Sequence, residues 1–87
     1  MTDWRWDYLT DAEHVVAGLA PRHIQAVEHL GQRLADAASA KYLGDPPVEE
    51  SGVSGVLDIA EGPLMVWYQE HWRHRAVYIL RVQHLGD

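Results

Sequence analysis

The chain has 87 residues, a formal net charge of −6 from thirteen acidic and seven basic side chains, and no cysteine. That length allows one domain, which at this size buries only about 60% of the surface its unfolded form exposes. The lack of thiols excludes disulfides, thiolate nucleophiles and cysteine-built zinc or iron–sulfur sites.

The acidic balance has the wrong sign for holding nucleic acid through the overall field, so any such contact must be local. No apolar run reaches the ~20 residues of a membrane span, so no membrane association is expected. Met1 to Asp7 is polar and aromatic rather than basic then apolar. No secretion leader is therefore expected, and a cytoplasmic location follows as the default.

Trp4-Arg5-Trp6-Asp7-Tyr8 alternates aromatic with charged residues, which predicts a strand with Trp4, Trp6 and Tyr8 on one face. Such an aromatic stripe is expected to pack under a helix. Thr10 stands three residues before Glu13, a capping-box pair that predicts a helix start. Ala12, Val15, Val16 and Leu19 fall on one stripe, and Ala20 precedes a proline, which predicts a first helix of about nine residues. Pro21 suits the first turn of a second helix, continued by Ile24, Val27, Leu30 and Leu34. A short turn between two helices predicts an antiparallel helical hairpin.

Gly44 to Gly55, rich in Gly, Pro, Ser and acid, reads as one long loop. Val53 to Ala60 favours a strand, Glu61-Gly62-Pro63 is turn chemistry, and Leu64 to Gln69 reads as the returning strand. Glu70 to Arg75 is read as a polar turn. Ala76 to His84 is almost continuously apolar in its first half, as a central strand should be. The order β-α-α-β-β-β predicts one α+β domain over residues 1–87, a helical hairpin packed on one face of a small antiparallel sheet.

Four stretches resemble the RelE/ParE superfamily of type II toxin–antitoxin toxins. Tyr8-Leu9-Thr10-Asp11-Ala12 is similar to its strand-to-helix opening, and Leu19-Ala20-Pro21 to the junction of its two helices. Gly62 with Val66-Trp67-Tyr68 resembles its glycine turn and tyrosine-ended strand, and Ile79-Leu80-Arg81-Val82-Gln83-His84 with Asp87 its closing strand. The likeness runs from about Tyr8 to Asp87.

The resemblance implies a bacterial toxin, a cognate antitoxin as partner, no cofactor, and an mRNA interferase that cuts messages on the ribosome and so inhibits translation. It also implies catalytic roles for His84, Arg81 and Tyr68. Leu64 or Met65 occupies the phosphate-facing arginine position, Ala60 a second basic position, and Leu85 and Gly86 the basic residues after the final histidine. A site so depleted points equally to a non-catalytic interaction module of the same fold, self-associating or bound to another protein, or to a ParE-like inhibitor of DNA gyrase.

Strand alternation puts His84 on the face of Val82 and Leu80, with Arg81 pointing the other way. A histidine at a strand end is also what an ordinary solvated residue looks like. Trp72 with Arg73 and Arg75 just after it is the one basic-aromatic patch and the candidate nucleic-acid contact, read against a plain surface turn. His71 and His74 lack the further ligands a metal site needs.

Overall fold

The computed structural model describes residues 3–42 and 52–86. The elements run β1 (Arg5–Tyr8), α1 (Ala12–Val15), α2 (Pro21–Lys41), β2 (Leu57–Glu61), β3 (Leu64–His71) and β4 (Ala76–His84). The architecture is α+β, with one long helix on one face of a four-stranded sheet ordered β1-β4-β3-β2.

The sheet is mixed, not antiparallel: β4 pairs antiparallel with β3 but parallel with β1. This correction shares its cause with a second one, because the expected helical hairpin is absent. Asp11, not Thr10, caps α1, its carboxylate accepting from the His14 N–H at 2.9 Å. One turn later Gly18 adopts φ 80, a left-handed conformation that stops the helix. The single long helix α2 then carries the chain back. It starts with His23 against His84 at the end of β4 and finishes with Tyr42 stacked on Trp4 at the start of β1. One reversal where a hairpin would make two leaves β1 and β4 pointing the same way.

The core lies between α2 and the sheet, with Leu30, Val27, Leu64, Val66, Val77 and Ile79 fully buried. Burying each such side chain contributes about 1.5–3 kcal/mol before entropy is counted. Trp6 lies across Gly31 of α2 so closely that a Cβ there would sit 2.4 Å from the Trp6 Cδ2. The aromatic stripe of β1 therefore packs under a helix, as its period implied.

The register breaks between Trp67 and Tyr68, which pair with Arg81 and Ile79, so Leu80 is an extra residue in β4. The bulge lets Ile79 and Val82, three apart, both pack on the core. Leu80 consequently does not share the core face with Val82, contrary to simple alternation.

The run expected as one strand over Val53 to Ala60 is divided. Val53 makes an isolated bridge to His71, and β2 begins only at Leu57. At Ser54 the side-chain oxygen, rather than a backbone carbonyl, accepts the Glu70 N–H at 2.9 Å, which interrupts the ladder. Most of the loop expected over Gly44 to Gly55 lies outside the described residues.

Glu70 to Arg75 is not wholly a polar turn either. Strand β3 continues through His71, and both Glu70 and Trp72 are buried. The Glu70 carboxylate accepts from Lys41 Nζ at 3.0 Å and from the Tyr42 hydroxyl at 2.7 Å, which lets a charged group enter the core. Among the described residues, no helix is long and apolar enough to cross a membrane.

Candidate functional site

The structure separates the three residues nominated for catalysis. Tyr68 packs on the core, where burial first and the Glu70 charge second push its hydroxyl above the usual tyrosine range. Arg81 lies on the opposite face, its guanidinium 5.1 Å from the Trp67 ring centroid, a cation–π contact. His84, half-buried at the end of β4, faces α2. No single small substrate can touch all three.

The nominated nucleic-acid patch is also divided. Trp72 is 8% exposed, its ring 5.7 Å from that of Tyr42, so it is a core residue with no face for a base. Arg75 takes φ 50 in the tight turn Trp72–Arg75 and donates to the Asp3 carboxylate at 2.9 Å. Arg73 is exposed as well, its stem lying across Gly52. The buried tryptophan follows from Lys41 and Tyr42 closing over Glu70, a long-range contact with no local trace in the sequence.

What the structure adds at His84 is His23. The two rings stand 4.8 Å apart, tilted by 42°, in a depression of about 340 Å³ lined by Gly18, Leu19, Ala20, Arg22, His23 and His84. The turn at Gly18 and the helix start at Pro21 bring Arg22 and His23 there. The bulge at Leu80 sets the facing of the last residues of β4, so that His84 meets the helix.

A nitrogen that accepts a hydrogen bond in a neutral imidazole carries no proton. His84 Nδ1 accepts from the Gly86 N–H at 3.2 Å, so Nε2 holds the proton and presents a donor. Arg22 adds a permanent positive charge, and the first turn of α2 adds the positive end of the helix dipole. The arrangement suits an anion, with one imidazole donating and a second beside it.

The sequence carried one overlooked signal for this site. The first turn of α2 contains no acidic residue and holds Arg22 and His23 instead. Cations there oppose the helix dipole and cost about 0.3–1 kcal/mol, whereas carboxylates would stabilise it.

A second group lies on the sheet face opposite α2. Met65, Trp67, Tyr78 and Leu80 are half-exposed there. The rings of His71 and His74 flank Tyr78, at 4.5 and 6.4 Å. Arg5 donates to the Tyr78 hydroxyl and to the His74 carbonyl, both at 3.1 Å. Among the described residues, no group of three or more His, Cys, Asp or Glu is placed to hold a metal ion. Comparison with protein-family models, with curated proteins and with solved structures gave no match.

Proposed function

We propose that this domain is the toxin component of a type II toxin–antitoxin pair, of RelE/ParE kind, and that it acts on RNA at the His23–His84 depression. The observation that carries this reading is the 4.8 Å approach of two imidazoles beside Arg22 at the start of a long helix. In this reading His23 takes the proton from a ribose 2′-hydroxyl, whose oxygen attacks the adjacent phosphorus. His84 Nε2–H and Arg22 hold the phosphate oxygens, and the 5′ oxygen leaves with a proton from water. The products are a 2′,3′-cyclic phosphate and a free 5′-hydroxyl.

Leu64 or Met65 and Ala60 stand where the family places cations. Each missing charge-stabilising donor lowers a rate by about 10²–10³, so cleavage is expected roughly 10⁴–10⁶-fold below that of a full set. The blocking partner would carry basic and apolar residues, to complement a surface of net charge −6.

The test is incubation of the purified chain with a single-stranded oligoribonucleotide and with ribosome-engaged message. Cyclic-phosphate ends should appear, and should vanish in His23→Gln and in His84→Gln. Cleavage that persists in the double variant would rule the depression out as the site.

A second reading, a non-catalytic interaction module, draws on the half-exposed Met65, Trp67, Tyr78 and Leu80, over which no helix packs among the described residues. Growth arrest on expression without RNA cleavage would favour it, and a supercoiling assay would identify gyrase as its target.

A further inference from the structure

We propose that the corner formed by His71, Arg73 and His74 is a binding site for a phosphate group. It lies by the start of β4, whereas the His23–His84 depression lies at the other end of that strand, so neither site depends on the other.

The corner is a cavity of about 160 Å³ lined by Gly52, Val53, His71, Arg73 and His74. The two imidazoles stack with centroids 5.8 Å apart and planes 23° from parallel. His71 Nε2 is buried and has no hydrogen-bond partner, a costly state for a polar atom unless a ligand satisfies it. Gly52, at φ 69, admits Arg73 to the cavity wall; any Cβ there would come within 2.6 Å of Arg73 Cδ. Arg75 is already engaged by Asp3, so Arg73 is the guanidinium that remains for an anion. Arg5, braced on the His74 carbonyl and the Tyr78 hydroxyl, adds positive charge from β1.

These groups concentrate cations in one corner of an acidic chain. Two imidazoles and a guanidinium together offer the donors a phosphate accepts. The groups facing His71 are His74 and Arg73 from the turn and Tyr78 from β4, with Arg5 on β1. Asp7, opposite Tyr78 in register, and Asp3, held by Arg75, are the nearby carboxylates. Burial, then the neighbouring His74, holds His71 below its ordinary range, so it charges reluctantly without an anion. A phosphodiester, whose own charge is constant between pH 7.5 and 5.5, should therefore bind more tightly as pH falls through that range.

The phosphate could belong to an RNA backbone or to a free phosphorylated small molecule. The experiment titrates inorganic phosphate, and separately a short single-stranded oligoribonucleotide, into the full chain while histidine and arginine side-chain NMR signals are followed. Chloride at matched ionic strength is the control. Phosphate should move His71, His74 and Arg73 together and saturably. Arg73→Gln and His74→Gln, both at exposed positions, should each weaken binding about tenfold, while Arg33→Gln, on exposed α2 surface away from both sites, should leave it unchanged. Movement with both probes supports the site and assigns it to RNA; movement with phosphate alone supports it and assigns a small molecule. No movement with either, or undiminished binding in the Arg73→Gln/His74→Gln double variant, overturns the proposal.

Discussion

Gly31→Ala is expected to destabilise the domain, although helix propensity alone predicts the opposite. Gly31 is interior to α2, where replacing glycine by alanine normally stabilises by about 0.8–1 kcal/mol. Here the new methyl would lie 2.4 Å from Trp6 Cδ2, with Cε3 and Cγ both at 2.8 Å. An indole cannot bend out of plane, and Trp6 is also held edge-on against Tyr8 at 5.2 Å, so the ring must give up its place on α2. Overpacking typically costs about 1–3 kcal/mol, and contacts this short belong to the upper part of that range. The net loss should be about 1–2 kcal/mol, a fall in Tm on the order of 5–15 °C for a domain of this size. Thermal unfolding followed by circular dichroism measures it, with Trp6→Leu/Gly31→Ala as the companion variant in which alanine becomes favourable again. A rise in Tm for Gly31→Ala in the native background would refute the packing of β1 against α2.

Three further outcomes are expected. Ile79→Ala should cost about 3–4 kcal/mol, since Ile79 is fully buried in the central strand; a urea midpoint lowered by much less would place it outside the core. Lys41→Met should cost about 1–2 kcal/mol by leaving Glu70 with fewer compensating donors, a figure reduced because Lys41 is more than half exposed and its pair is screened. Because His71 titrates below its ordinary 6.5 in the folded chain, the unfolded chain binds the extra proton first as pH drops. Stability should thus be lost as pH falls below about 6.5, and His71→Gln should flatten the Tm profile between pH 5 and 7.5.

The strand β4 was readable to the residue, because Ala76 to His84 carries a run of branched and aromatic side chains bounded by polar residues. Its central place followed from the same run. Pro21 marked the start of α2 equally well, since a residue without an N–H fits only there in a helix. What escaped was whatever depends on distant partners. Nothing around Glu70 and Trp72 announces burial; it takes Lys41 and Tyr42, far away in the chain, to make it tolerable.

The stop of α1 at Gly18 outweighed an apolar stripe that ran on to Leu19, and the direction of β1 relative to β4 depended on that one event. The candidate site divides in the same way. His84 stood out as an imidazole closing an apolar strand. His23, its companion, is a helical residue whose spacing carries no sign of the sheet end it meets, and the bulge at Leu80 that sets their facing leaves no trace in composition.

The parallel pairing of Arg5–Tyr8 with Ala76–Ile79 has a consequence for how the chain matures. During synthesis the first strand emerges long before β4, its one strand partner among the described residues, and Trp6 and Tyr8 must wait beside a helix without a sheet beneath it. Closure of so distant a pair is slow, and the waiting intermediate is exposed to proteases and to association with other nascent chains. Any product released before Ala76 would be unable to finish, so stalled or truncated copies should be cleared rather than accumulate half-folded.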